Sequence, residues 1–382
     1  MGGHALSASS AMPISWQETL SFVAISAMTT VILRARDVRR RRAPVQVVYP
    51  AGEAAVAATL ARLAASGPGE LHLLVDFDRT ITRHWADAAQ TIPMLTSYAV
   101  LQQRWPVAER AQVDAISRHY YAIETNPHLS HEEKAPAMIE WHRLSNALAV
   151  RVGTTRADVA AAVASAGLAL RPGVRELVAW CERHDVPLIV MSAGVADVVA
   201  EALRLLLGDQ PTLPRVIHVV SNSMVWDAGG RLAGFSEPIL HVFNKRAGAI
   251  PPDSAAAQAI RGRPHAILVG DSMGDATMAD GDAPIAGGGP EESPPLVLKL
   301  GLLNHDVDAL LPRFAALFDA VVTGDGGLEQ PLLAWLRAIE AGTAAAAAGR
   351  RRGSAAGGWL GWLDIRVGAW ADRFTSAATI RA

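Results

Sequence analysis

Five short apolar runs, at 71–76, 187–191, 216–220, 266–270 and 319–323, alternate with stretches whose apolar residues recur at helical spacing. Strands buried on both faces read as continuous apolar runs, so this alternation predicts an α/β chain: a parallel sheet with helices on both faces. The first two runs lie too far apart for a single crossover. Residues 84–168 between them carry helical pattern and helix-starting signals, Asn126–Pro127 and Ser130 followed by Glu133. They read as an inserted helical cap. The core is then expected in two pieces, 44–83 and 169–338.

The first run ends in an unusual way. In LLVDFDRTIT at 73–82, Asp76 and Asp78 flank Phe77. Extended residues alternate their faces, so the two carboxylates point to the same side. Ligands collect at the C-terminal edge of a parallel sheet, and three further segments bring polar groups there. They are MSAG with Ser192 and Ala193, HVFNKR with Lys245, and VGDSMGD with Asp271 and Asp275. Of 35 basic residues only Lys134, Lys245 and Lys299 are lysines, so a lysine here marks a need for a compact ammonium. One Asp-x-Asp alone is ordinary turn chemistry. Carboxylates converging from several strand ends require a cation. Mg²⁺ suits them, being a hard ion that takes oxygen ligands and shares them with phosphate.

Roles follow from that chemistry. Asp76 is the expected nucleophile toward phosphorus, giving an aspartyl-phosphate. Asp78 is the expected acid toward the leaving oxygen and base toward the attacking water. The metal ligands would be Asp76, the Asp78 carbonyl and Asp271. Ser192, the Ala193 amide and Lys245 would bind phosphate oxygens, and Asp275 would orient Lys245 or a metal-bound water.

The four segments, in this order, resemble the haloacid dehalogenase superfamily of phosphohydrolases. The likeness extends to one branch, the cytosolic pyrimidine 5′-nucleotidases (type III nucleotidases). It is carried by DFDRTIT, YYAIETNPHLSHEEKAPAMIEWHRLSNAL at 120–148, MSAGVADV at 191–198, VVSNSMVWD at 219–227, GFSEPILHVFNKR at 234–246 and ILVGDSMGDATMADG at 267–281. It covers roughly residues 70–320. The resemblance implies a haloacid-dehalogenase-like core with a helical cap. It implies a Mg²⁺-dependent hydrolase of nucleoside 5′-monophosphates, UMP and CMP first, with Glu124 reading the nucleobase and Ser145 contacting the nucleoside. Trp141 is expected either to stack on the base or to fill the cap core. The stretch 84–115 differs from the family pattern, and His142 stands where relatives carry an aromatic residue, a position that bears on base preference. His119, His128 and His131 have no metal-ligand spacing and are expected at the surface.

Composition removes other classes. A formal charge of −2 gives no nucleic-acid footprint, and the single cysteine, Cys181, forms no internal disulfide. It suits a reducing compartment, so a cytoplasmic protein is expected, with a membrane-associated or organelle-targeted form left open. In residues 1–43, an apolar run from Leu20 to Leu33 precedes basic residues from Arg34 to Arg42, a pattern that suits weak membrane association or targeting. Residues 339–358 read as an Ala/Gly/Arg linker. Beyond it, Trp359, Leu363, Val367, Trp370 and Phe374 share one face of an amphipathic segment, 359–382. Two rivals stay open: a phosphatase of 7-methylguanosine monophosphate or of a small phosphomonoester such as phosphoserine, and a catalytically silent docking protein.

Overall fold

The five apolar runs become strands of one seven-stranded sheet. The structure, a computed structural model, describes residues 44–281 and 294–351. Its strands are β1 (Val47–Val48), β2 (Leu71–Val75), β3 (Leu188–Val195), β4 (Ile217–Asn222), β5 (Met224–Trp226), β6 (Leu232–Phe235), β7 (His265–Gly270), β8 (Val297–Leu303) and β9 (Ala320–Thr323). The sheet order is β1-β9-β8-β7-β2-β3-β4, and β5-β6 form a separate hairpin. Every pairing in the large sheet is parallel except β1 with β9.

Ten helices surround it: α1 (Glu53–Ser66), α2 (Ser97–Gln102), α3 (Val107–Glu124), α4 (His131–Val152), α5 (Arg156–Ser165), α6 (Val174–His184), α7 (Ala196–Gly208), α8 (Ala255–Ile260), α9 (Val307–Ala315) and α10 (Ala334–Arg351), counted among the described residues. Strand alternation sorts the core into two layers. Leu73 and Val75 face Leu63, Leu177, Ala202 and Leu336 from α1, α6, α7 and α10. Leu74 faces the other way, with Ile189, Leu268, Ile260 of α8 and Phe314 of α9. Each such buried aliphatic side chain contributes about 1.5–3 kcal/mol relative to exposure, so the centre of β2 is strongly fixed.

Between β2 and β3, α3 and α4 pack on each other, and α4 also meets β6. The Ser130–Glu133 signal is realised as a capping box that starts α4. The shorter α2 and α5 pack against each other and against α7.

Two departures from expectation concern the C-terminal half. β8, VLKLGLL, is a full inner strand that the sequence reading passes over, since Lys299 and Gly301 interrupt its apolar run. The described part of the expected linker, 339–351, is helix. Alanine and arginine are strong helix formers, and α10 lies along α1, with Ile339 fully buried and the Thr343 hydroxyl donating to the Ala64 carbonyl at 3.2 Å. The apolar run at 20–33, the basic residues after it and the stripe from Trp359 to Phe374 lie outside the described residues. Among the described residues no helix is long and apolar enough to cross a membrane.

Candidate active site at the strand tips

The tips of β2, β3 and β7 deliver the site. β2 ends at Val75 and hands Asp76 directly to the edge, while β7 ends at Gly270 and delivers Asp271. β3 loses its register with β4 between Met191 and Val195, which frees Ser192, Ala193 and Gly194 from regular pairing. After Asp76 the chain turns sharply, with Arg79 in the left-handed region at φ 64°.

That turn is fastened by a residue the sequence reading missed. Arg171 is fully buried. Its Nε donates to the Thr80 carbonyl at 2.9 Å, Nη1 to the Gly326 carbonyl at 2.6 Å, and Nη2 to the Arg79 carbonyl. Asp325 balances its charge at 3.2 Å, and Asn304 adds a bond to the Arg79 carbonyl at 3.1 Å. A planar guanidinium with five donors suits this task.

At the centre, Lys245 is 3% exposed and donates to Asp76 Oδ1 and, at 2.7 Å, to Asp275 Oδ1. The other oxygen of Asp275 accepts from the Ser272 amide and hydroxyl, both at 2.9 Å. Gly270 makes this possible, since a Cβ there would lie 2.1 Å from the Asp275 Cβ. Of the two roles expected for Asp275, orienting Lys245 is the one with a bond behind it. Burial alone would lower the Lys245 pKa, but Asp275 and Asp76 more than offset this and raise it. The two carboxylates therefore favour the charged ammonium.

Carboxylate oxygens of Asp76, Asp271 and Asp275 lie within 4.8 Å of one another. Burial, then the charges of Asp275 and Asp78, push Asp76 up to about 7, against the pull of Lys245. Burial, then Asp76 and Asp275, raise Asp271 well above the ordinary carboxylate range. Such a cluster is an unfavourable arrangement by itself and a good one for a hard cation. The donor set fits that ion: Asp76 Oδ2 is buried with no hydrogen-bond partner, and Asp271 is partly accessible. Both Asp275 oxygens are already engaged, which leaves Asp76 Oδ2 and the Asp271 carboxylate as the oxygens of this cluster that could hold such an ion.

Asp78 does not share in the cluster. Its Oδ1 accepts from the Ser97 amide and its Oδ2 from the Ser97 hydroxyl, each at 2.8 Å. The Ser192 hydroxyl accepts from the Gly194 amide at 3.0 Å. Asn222, also missed from sequence, bonds the Ala193, Gly194 and Leu240 carbonyls and accepts from the Leu240 amide. It ties the Ser192 loop to the segment leading to Lys245.

Glu124 ends α3 and is half-buried. Burial raises its pKa, opposed by Arg79 from the turn after Asp76 and Lys134 from α4. Arg79 also acts on Asp78 and Asp271, so Glu124 belongs to the same electrostatic neighbourhood. Lys134 is buried and lies 5.4 Å from the Phe243 ring centre. Ser145 is buried on α4. His142 Nδ1 lies 3.0 Å from the Tyr98 hydroxyl, which donates to Asn146 Oδ1, and burial lowers the His142 pKa to about 4. Trp141 stacks on Tyr120, with ring centres 6.2 Å apart, which is packing within the helix pair. His119, His128 and His131 are exposed, though His131 stacks on Phe243.

Comparison with known proteins agrees with this architecture. The family model described as Pyrimidine 5′-nucleotidase (UMPH-1) matches residues 79–339. The chain is 31% identical over 265 residues to the 7-methylguanosine phosphate-specific 5′-nucleotidase of Homo sapiens, covering 69% of this chain and 83% of that one. It is 30% identical over 267 residues to the protein of the same name from Drosophila melanogaster, covering 69% and 79%. Among solved structures, cytosolic 5′-nucleotidase IIIB bound to cytidine superposes with a TM-score of 0.67 at 28% identity, covering 78% of this chain and 94% of that one. The chain thus belongs to the pyrimidine 5′-nucleotidase (UMPH-1) family, phosphatase hydrolases with a haloacid-dehalogenase-like fold.

Proposed function

We propose that this chain is a Mg²⁺-dependent hydrolase of nucleoside 5′-monophosphates, with CMP and UMP as preferred substrates and an aspartyl-phosphate intermediate. The observation that carries the reading is Lys245 held between Asp76 and Asp275, with Asp271 beside them. Asp76 attacks phosphorus through a carboxylate oxygen. Asp78 gives a proton to the departing 5′ oxygen and later takes one from water. Lys245, Ser192 and the Ala193 amide hold the non-bridging oxygens, where negative charge gathers. Mg²⁺, held by Asp76, Asp271 and the Asp78 carbonyl, would offset the repulsion between phosphate and carboxylates.

Residues 84–168 act as a cap, in which Glu124 and Ser145 meet the nucleoside. A carboxylate accepts from the cytosine amino group or the uracil N3–H. Cytidine in the related type IIIB structure supports a pyrimidine, and so do Arg79 and Lys134, which offset the negative field of Glu124 and make the pocket less suited to a cationic base. A second reading, 7-methylguanosine monophosphate, is favoured by the names of the relatives above. The cytosolic name of the related structure supports a cytoplasmic setting. Initial rates on CMP, UMP, 7-methylguanosine monophosphate and phosphoserine at fixed Mg²⁺ separate these readings. The expected order puts CMP and UMP first, and fastest turnover of either other ester overturns the preference. Asp76→Asn should abolish phosphate release while the chain still folds; retained activity removes Asp76 from the mechanism.

A further inference from the structure

Ser97 opens α2 and is 1% exposed, and its amide and hydroxyl both donate to Asp78 of the turn after β2. The helix packs on β3, α5 and α7, so the Ser97 grip on Asp78 is anchored in the core. Its hydroxyl occupies a niche that exists because residue 194 is glycine: a Cβ there would sit 1.8 Å from Ser97 Oγ and 3.0 Å from Ser192 Oγ. Ser97 thus touches both the proton-transferring carboxylate and the loop assigned to phosphate.

We propose that Ser97 is the positioning residue of Asp78 and decides which of its two oxygens carries the transferred proton. An amide N–H can only donate, so Oδ1, which it holds at 2.8 Å, stays an acceptor. Oδ2 faces a hydroxyl instead. A hydroxyl donates to the carboxylate and can turn to accept from the acid, so Oδ2 tolerates both protonation states. In the first half-reaction an Asp76 oxygen bonds to phosphorus while the bond from phosphorus to the 5′ oxygen breaks. The departing oxygen keeps the electron pair and takes the proton from Oδ2. In the second, a water oxygen bonds to phosphorus and its proton passes to Oδ2. The bond from phosphorus to Asp76 breaks, and the pair returns to that carboxylate. Ser97 neither gains nor loses a proton overall. Its contribution is to keep Oδ2 aimed.

The inference rests on the reading of Asp78 as acid and base, and its test separates the two. Ser97→Ala keeps the amide and removes the hydroxyl. The wild type, Ser97→Ala and Asp78→Asn are assayed for the rate of nucleoside release in the first turnover, before the shared aspartyl-phosphate is hydrolysed, on CMP and on cytidine 5′-phosphorothiolate, in which sulfur replaces the bridging oxygen. Both esters share every nucleoside contact, but a thiolate leaves without being protonated. The expected result for Ser97→Ala is a fall in that first-turnover rate on CMP of about tenfold or more, a part of the full acid–base effect. The substrate concentration for half-maximal release should be nearly unchanged and first-turnover release from the phosphorothiolate within about threefold of wild type, which also certifies the fold. Asp78→Asn should show the same selectivity more strongly. Equal losses on both esters, or no loss on CMP, in Ser97→Ala overturn the proposal for Ser97. An unselective Asp78→Asn overturns the reading of Asp78 and the inference with it. A wild type inert toward both esters refutes the substrate reading instead, and the same comparison is then made on phenyl and 4-nitrophenyl phosphate, which differ in leaving group alone.

Discussion

Gly194 leaves the space that Ser97 fills: a methyl group at 194 would fall 1.8 Å from the Ser97 hydroxyl oxygen. The backbone at 194 has no need of a left-handed conformation, so a close approach, rather than turn geometry, requires the glycine. Gly194→Ala must push Ser97 away from Asp78 or lift the Ser192 loop. Either movement misplaces a reacting group, and a displacement of about 1 Å costs roughly 100-fold in rate. The expected outcome is a loss of kcat on that scale, with destabilisation of about 1–3 kcal/mol from overpacking. Steady-state kinetics and urea unfolding check both parts, and a variant with wild-type kcat would show that the niche has slack.

Lys245→Met tests the charge balance directly. Lys245 is buried between Asp76 and Asp275, so its removal leaves two buried carboxylates without their shared cation. Breaking a buried pair by deleting one partner costs about 3–5 kcal/mol. Stability should fall by about that much, and activity should disappear with it. Added Mg²⁺ should recover part of the stability, because a divalent ion between Asp76 and Asp271 offsets the same charges. Urea titrations with and without MgCl₂ measure this. Equal destabilisation in both conditions would show that the ion and the ammonium act on different groups.

The parts of this molecule legible in its sequence are those whose signal is local. β2 declares itself because Leu71 to Val75 are adjacent and Asp76 follows at once. α4 declares itself because Ser130 and Glu133 cap each other three residues apart. Ser97 lies 19 residues from Asp78, and Arg171 lies 92 residues from Arg79. Nothing near either residue marks its role, which exists only after the sheet has formed. Asn222 is intermediate: it stands in VVSNSMVWD, which carries the family likeness, but its purpose needs the Ala193 and Leu240 carbonyls in place. In the linker expected from 339, the helical character of the described part, 339–351, is not legible for a different reason. Alanine-rich composition is shared by linkers and helices, and only the contact of α10 with α1 decides between them.

Removal of the metal should be visible without any assay of turnover. Asp76 Oδ2 is a buried acceptor with no partner, and Asp271 sits among like charges. An ion bound to the folded chain alone stabilises it by RT ln(1 + [L]/Kd), about 2.7 kcal/mol at 100-fold excess over Kd. Mg²⁺ should therefore raise Tm in a concentration-dependent way, and EDTA should return it to the metal-free value. Asp271→Asn removes one of the two carboxylates that could hold the ion and should abolish most of the increment. It should also leave the metal-free protein at least as stable as wild type, since it removes a repelled charge. A full Mg²⁺ increment in Asp271→Asn would place the ion elsewhere.

The last expectation concerns acid. His72 is fully buried in β2, with Nδ1 2.9 Å from the Arg263 carbonyl and Nε2 without a partner. Burial holds its pKa down at about 4, against an ordinary 6.5. Above pH 6.5 neither the folded nor the unfolded chain protonates it, and it has no effect on the balance. Between 6.5 and 4 the unfolded chain takes up a proton that the fold refuses, so stability declines as pH falls. Below about 4 both states are protonated and the loss is complete, at about 3 kcal/mol for a gap of that size. His72→Asn keeps a donor for the Arg263 carbonyl and removes the titration. Its unfolding free energy should decline less steeply over this window. His84, which burial lowers to about 3, and His142 and His241, which it lowers to about 4, should supply part of the slope that remains. Urea unfolding at half-unit pH steps measures the difference, and identical slopes in the two proteins would show that the fold admits a proton at His72 at little cost.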